Sequence, residues 1–241
     1  MTKARAALVT GSTRGIGFAI ASELCARGYR VILNYHSDQE RAEQALHALR
    51  EAGGSADLIR ADASDAADVG NMVEDALREA PIDLLVNNVG AFHFKPFLET
   101  DAADWSHVIG SALLSAVYCS RALLPRLRDQ GAGHIINIAS PNAGTLRAKP
   151  NTLPYAIAKA GIVLLTKTLA STEGKFGIRV NAVSPGYVQG GDFSPERAAD
   201  RIPLGRLADP SEIAKAVAFL DSEDGAYING AVLDVHGGVF L

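Results

Sequence analysis

The chain is short of several things, and each shortage narrows what it can be. Among its 241 residues are only two cysteines, Cys25 and Cys119, which stand far apart and match no metal or redox spacing. A disulfide framework is not expected, and free thiols in a reducing cytosol fit better. No basic run of five or more residues occurs, and the net charge is −4 with a pI of about 5.9, so nothing calls for nucleic acid or an anionic membrane as partner. No stretch of 18 apolar residues is present, which predicts no membrane span. The opening "MTKARAALVT" lacks the tripartite pattern of a signal peptide, so a cytoplasmic protein is expected. Linkers, low-complexity segments and repeats of solenoid period are absent too. Six histidines are scattered without ligand spacing, so no metal site is expected. The lone tryptophan, Trp105, reads as core packing.

What is present is a well-cored composition, 48 % hydrophobic with a mean hydropathy of +0.09. Short β-type runs alternate with helical ones. Strands are expected at 6–10, 29–35, 56–62, 82–90, 134–140, 178–185 and 230–238. Helices are expected at 15–27, 38–52, 65–80, 101–130, 153–173 and 210–221, the last with Asp209 or Ser211 near its cap. Runs such as "DLLVNN" and "HIINIA" are apolar on both faces, as strands of a covered parallel sheet must be. The expectation is α/β: one doubly wound domain over residues 1–241, with a seven-stranded parallel sheet and helices on both faces.

"TGSTRGIG" (10–17) follows the first strand, with Gly11, Gly15 and Gly17 spaced G-x-x-x-G-x-G. Glycines let the backbone turn tightly against a pyrophosphate, and the helix start offers free N–H groups. The alternative is an ordinary glycine-rich turn. The second strand ends "NYHSD", with no carboxylate before Asp38, and Arg14 in the turn supplies positive charge. A 2′-phosphate is then accommodated, which points to NADPH/NADP+. The other possibility leaves Arg14 solvated and puts Asp38 on the ribose. "YAIAK" (155–159) sets Tyr155 and Lys159 one helical turn apart on the same face.

"TGSTRGIG", "NNVG" (87–90), Ser140 ending a strand, "YAIAK" and "NAVSPG" (181–186) thus stand in order on suitable elements. This ordered set resembles the short-chain dehydrogenase/reductase family across essentially the whole chain, with a Rossmann-type fold. It is most similar to the NADPH-dependent 3-oxoacyl-thioester (acyl-carrier-protein) reductases, also in "DPSEIAKAVAFL" and "YINGAVLDVHGG". "VILNYHSD" looks somewhat like the matching strand of pteridine reductases.

The resemblance implies that Tyr155 gives its proton to a carbonyl oxygen as hydride reaches carbon. Lys159 would hold the nicotinamide ribose and, with the nicotinamide's positive charge, lower the Tyr155 pKa, while Ser140 would orient the carbonyl. The cofactor would meet Gly11, Ser12, Thr13, Arg14, Gly15, Ile16 and Gly17 in the turn and Tyr35, His36 and Ser37 after the second strand. It would run on past Asp62 and Ala63, past Asn88, Val89 and Gly90, to Tyr155 and Lys159, and to Pro185, Gly186 and the backbone of Val188. In plainer terms, Asp62 could be only a helix cap and Pro185-Gly186 only a turn.

Three departures stand out. Where the family carries a relay asparagine on the long helix, this chain has Ala112 with Ser111 beside it; either the relay uses Ser111 or another water, or turnover is reduced. Val89 replaces the usual alanine, and Gly190 stands where a threonine is often found. Residues 186–205, with Gly190, Gly191, Pro195 and Pro203, would form a lid, and 141–154 the opposite wall. Arg147 and Lys149 in that wall either attract an anionic substrate or are solvated loop charges.

The leading expectation is reduction of a 3-oxoacyl thioester or similar ketone. Another small carbonyl or a pterin is the alternative substrate, and a non-catalytic NADP(H) sensor is the rival class. Relatives imply a homo-tetramer or dimer paired through the two long helices and the last strands. "AGIVLL" (160–165) suits a buried helix face without separating core from interface.

Overall fold

A computed structural model describes residues 5–145, 147–191 and 199–239. Seven strands form one parallel sheet: β1 (Ala6–Val9), β2 (Arg30–Tyr35), β3 (Ser55–Arg60), β4 (Ile82–Asn87), β5 (Gly133–Ile138), β6 (Ile178–Pro185) and β7 (Val232–Val235). Their order is β3-β2-β1-β4-β5-β6-β7. The chain winds outward in one direction from β1 to β3, then returns to β4 on the other side of β1. That reversal opens a crevice beyond the carboxyl ends of β1 and β4.

The helices are α1 (Gly15–Ala26), α2 (Gln39–Glu51), α3 (Ala66–Glu79), α4 (Ala102–Ile109), α5 (Ser115–Gln130), α6 (Leu153–Glu173) and α7 (Pro210–Asp221). Their bounds lie within one or two residues of the sequence expectation, with one exception. The single helix expected over 101–130 is interrupted by a π-helical turn, Gly110–Leu114, joining α4 to α5. Strand β4 stops short of the expectation at its C-terminal end, where Asn88 N and Val89 N turn to the Thr10 hydroxyl, and β7 is shorter than expected at both ends.

Successive strand residues face opposite sides of a sheet, and here both sides are dry. Ala7 and Val9 pack toward Ile20, Leu24, Ile213 and Val217 of α1 and α7. Ala6 and Leu8 pack the other way, with Met72, Leu123 and Leu127 of α3 and α5. Both faces therefore demand apolar residues, which explains the continuous apolar strands. It also explains why residues 102–130 and 153–176 are long and apolar enough, by length and composition, to cross a membrane. No such span was expected from the sequence; in the fold these helices flank the sheet.

Four helices open on an aspartate whose carboxylate accepts backbone N–H groups: Asp38, Asp65, Asp101 and Asp209. Helix α1 differs. Its first residue follows Arg14, with no side-chain cap and no acid in the first turn. Its opening N–H groups face the crevice without a protein partner of that kind.

Candidate active site

The turn after β1 is shaped by glycine. Gly11 and Gly15 have φ of +59° and +53°, a region that costs other residues strain. At Gly17 a Cβ would lie 2.3 Å from the Gly11 carbonyl oxygen and 2.6 Å from Asn88 Nδ2, so only glycine fits. Asn88 ties the turn to β4: its Nδ2 donates to the carbonyls of Thr10 and Gly11, both at 3.0 Å, and its N–H donates to Thr10 Oγ1. On the far side, Asn34 accepts from Gly11 N at 3.2 Å. The loop is thus held from two strands with α1 aimed across it.

Beyond β2, Asp38 is occupied. Its carboxylate accepts from Arg41 N at 3.1 Å and lies 3.4 Å from the Arg41 guanidinium, capping α2. Tyr35 is half-buried and His36 and Ser37 are exposed. Arg60, which sequence reading passed over, donates from Nε to the His36 carbonyl at 3.1 Å. Asp62 accepts from the N–H and hydroxyl of Ser64 at 2.8 and 2.7 Å. Burial pushes its carboxyl up, but those bonds and the nearby His36 and His107 outweigh it and hold it below the usual range. Ala63 is buried beside it.

At the ends of β4 and β5 the chemistry gathers. Tyr155 lies in the first turn of α6, and Ser140 stands two residues beyond β5. Lys159, one turn after Tyr155, is 4 % exposed; its ammonium donates to the Ile138 carbonyl at 2.7 Å and stands 5.7 Å from the Tyr155 ring centre. Burial pushes Lys159 down to about 8. Burial pushes Tyr155 up to about 12, opposed by a hydrogen bond with Ser140. In the protein alone, then, desolvation of the phenol outweighs the pull of Lys159 expected from sequence.

Gly90 faces this group. A Cβ there would meet Lys159 Nζ at 3.3 Å and Ala112 Cβ at 3.4 Å. Ala112, fully buried, sits in the π-helical turn, a distortion that often marks functional positions. Ser111 is not free to stand in for the missing asparagine. Its hydroxyl donates to the His107 carbonyl at 2.7 Å and accepts from Ala91 N at 3.2 Å, so it holds the loop after Gly90. Val89 comes within contact of Gly11. Phe92 was also missed from sequence; its ring meets Tyr155 edge-on, centres 5.1 Å apart and planes at 81°. Only its place directly after "NNVGA" could have signalled it.

After β6, Pro185 is buried and Gly186 passes so close to His236 that a Cβ would lie 2.7 Å from its Cα. Val188 packs its side chain into the core, and its backbone is bridged to Ala208. Gly190, Gly191 and Pro203 of the expected lid are described, while Pro195 lies outside the described residues. Arg147 is exposed and Lys149 half-buried.

A family profile described as enoyl-(acyl carrier protein) reductase matches residues 11–240. The chain is 33 % identical to 3-oxoacyl-(acyl-carrier-protein) reductase FabG of Staphylococcus aureus, over all of both chains. It is 39 % identical to cis-4-hydroxycyclohexanecarboxylate dehydrogenase of Sinomonas cyclohexanicum, over 97 % of this chain and 96 % of that one. Among solved structures, an actinorhodin polyketide ketoreductase variant with NADPH superposes with a TM-score of 0.92 at 31 % identity, covering 98 % and 97 % of the two chains.

The chain belongs to the short-chain dehydrogenase/reductase family.

As a short-chain dehydrogenase/reductase it is an oxidoreductase of a CH–OH/C=O pair that works with a nicotinamide cofactor. The residues present fit such a group. Glycines at 11, 15 and 17 clear the backbone, the α1 start is uncapped, and Gly90 keeps the path to Lys159 open. The Ser140, Tyr155 and Lys159 expected from sequence come together at its inner end.

Proposed function

We propose that this enzyme is an NADPH-dependent reductase of ketones, most suited to 3-oxoacyl thioesters, working as one domain over residues 1–241. The convergence of Ser140, Tyr155 and Lys159 beside Gly90 carries the reading. Its named likeness to an acyl-carrier-protein reductase supports the thioester. The family profile's description concerns a C=C bond; two neighbouring hydroxyls, on Ser140 and Tyr155, suit a carbonyl oxygen.

A bound reduced nicotinamide supplies the hydride. Tyr155, held near pKa 12 by its surroundings, keeps its proton at neutral pH and gives it to the oxygen that gains charge. Ser140 donates a hydrogen bond to that oxygen and fixes its place. Lys159 sits where its ammonium favours the phenolate left behind and where it can hold the cofactor's ribose. Ala112 offers no polar group in the π-helical turn and the Ser111 hydroxyl is committed elsewhere, so solvent has to carry the proton back to Tyr155.

For coenzyme choice, the occupied Asp38 supports NADPH: a capping carboxylate paired with Arg41 is poorly placed to bind a ribose hydroxyl. Arg14 and Arg60 supply positive charge for a 2′-phosphate. The remaining cofactor contacts are Ser12, Thr13, Ile16, Tyr35 to Ser37, Asp62, Ala63, Asn88, Val89, Pro185, Gly186 and the Val188 backbone. A homo-tetramer or dimer is part of the proposal. Between α5 and α6 a groove of about 340 Å³ is lined by Val117, Leu124, Leu165 and Leu169 and edged by Arg121 and Arg128, a largely apolar face suited to a second copy. A cytoplasmic location is part of the same proposal.

The deciding experiment follows NADPH absorbance with acetoacetyl thioester, with NADH alongside. Turnover with NADPH is expected, and Tyr155→Phe should abolish it while NADPH still binds. Full turnover by Tyr155→Phe would sink the mechanism. Turnover of a pterin or simple ketone alone would move the substrate class.

A further inference from the structure

The segment after Gly90 reads "AFHFKPF", and its aromatic residues do not pack inward as aromatic residues usually do. Phe92 is 57 % exposed and Phe94 66 % exposed. Between them His93 turns in, its side chain 16 % exposed and Nδ1 3.4 Å from Asp104 Oδ1. Lys95 binds the other oxygen of Asp104 at 2.8 Å and its N–H donates to the Asn151 carbonyl at 2.8 Å. The segment is therefore pinned to the start of α4 and to the loop that leads into α6. Pinning at His93 and Lys95 leaves Phe92 and Phe94 facing out by construction.

Tyr155 fixes where Phe92 faces. The Phe92 ring meets the phenol edge-on at 5.1 Å, so whatever offers its oxygen to Tyr155 has a substituent beside Phe92. The basic side chains of the segment are turned to one carboxylate: His93 and Lys95 both bind Asp104. What remains is an apolar wall. The Cα atoms of residues at alternate positions are about 7 Å apart in an extended chain, roughly the length of a six-carbon chain.

We propose that Phe92 and Phe94 form a substrate-facing wall that selects ketones bearing an apolar ring or a chain of about six carbons over ketones of acetoacetyl size. This deepens the reductase reading above and rests on it. Phe92 touches the substrate body next to the reacting carbonyl; Phe94 extends the wall outward.

The test compares 4-phenyl-2-butanone with 2-butanone, and 3-oxooctanoyl with acetoacetyl N-acetylcysteamine thioester, in wild type, Phe92→Ala, Phe94→Ala and Phe92→Leu. NADPH affinity of each variant checks that the site is intact. The wild type should prefer the larger member of each pair by about a hundredfold in kcat/KM. Phe92→Ala should cut that ratio about tenfold, mostly through KM, and Phe92→Leu should recover most of it. An unchanged ratio in Phe92→Ala overturns the wall. Thioesters left untouched while the ketone ratio behaves as stated would overturn the thioester reading and leave the wall standing. If no carbonyl turns over, 4-phenyl-2-butanone is titrated into the NADPH complex by cofactor fluorescence: weaker binding in Phe92→Ala supports the wall, equal binding overturns it.

Discussion

His134 Nδ1 lies 2.9 Å from Asp221 Oδ1, both side chains buried, at the end of the sheet away from the crevice. The proton on that imidazole can be placed. Asn181 has its carboxamide fixed, Oδ1 accepting from Ala231 N and Nδ2 donating to the Ile228 carbonyl. Its Nδ2 therefore also donates to His134 Nε2, at 3.0 Å, which puts the proton on Nδ1 toward Asp221, although Arg179 Nη2 also lies 3.2 Å from Nδ1. Asp221 in turn accepts from Tyr29 and Arg5.

Acid should therefore loosen the fold at this point. Burial, with Arg179 and Arg5 nearby, pushes His134 below its ordinary 6.5. A depressed folded value means the unfolded chain takes up the proton first. The contribution is complete above pH about 6.5 and is lost as pH falls through the folded value, by at most about 1.4 kcal/mol per unit. Urea denaturation at about pH 7.5 and about pH 5 should show this loss, and His134→Gln should shrink the difference. A variant with the same pH dependence as wild type would assign it elsewhere.

Lys159 should set an alkaline limit on catalysis. Burial brings its ammonium down to about 8, so its charge fades as pH rises through that value. Ketone reduction, read as kcat/KM, is expected to fall across the same range. Lys159→Arg keeps the charge to far higher pH and should move the limb out of range even where it lowers the rate. A limb that stays near 8 in that variant would belong to another group.

Coenzyme choice is open to a direct binding test. Arg14→Ala should weaken NADPH by about tenfold and leave NADH within about twofold, since a charged hydrogen bond to phosphate is what is lost. Equal weakening of both would mean that Arg14 merely shapes the turn.

Gly17→Ala should fail for a steric reason. The added methyl meets the Gly11 carbonyl at 2.3 Å, and backbone cannot step aside as a side chain can. A lower melting temperature with lost NADPH binding is expected. Gly70→Ala, in an α3 position with open space around it, serves as the control and should be neutral or slightly stabilising.

The sequence alone determined the alternation of elements, because apolar runs of strand length and amphipathic runs of helix length are local facts. Four of the helix starts were written in aspartates, and the glycine turn and the Tyr155–Lys159 spacing are local as well. Tertiary structure decided which distant groups meet. Ser111 could have served a relay, and the approach of Ala91 took its hydroxyl. Phe92 became a neighbour of Tyr155, and His134 of Asp221 at a separation of 87 residues, only through the order of strands in the sheet. Nor could local sequence set the Tyr155 proton: its pKa answers to how much water the fold removes, and that depends on everything packed around it.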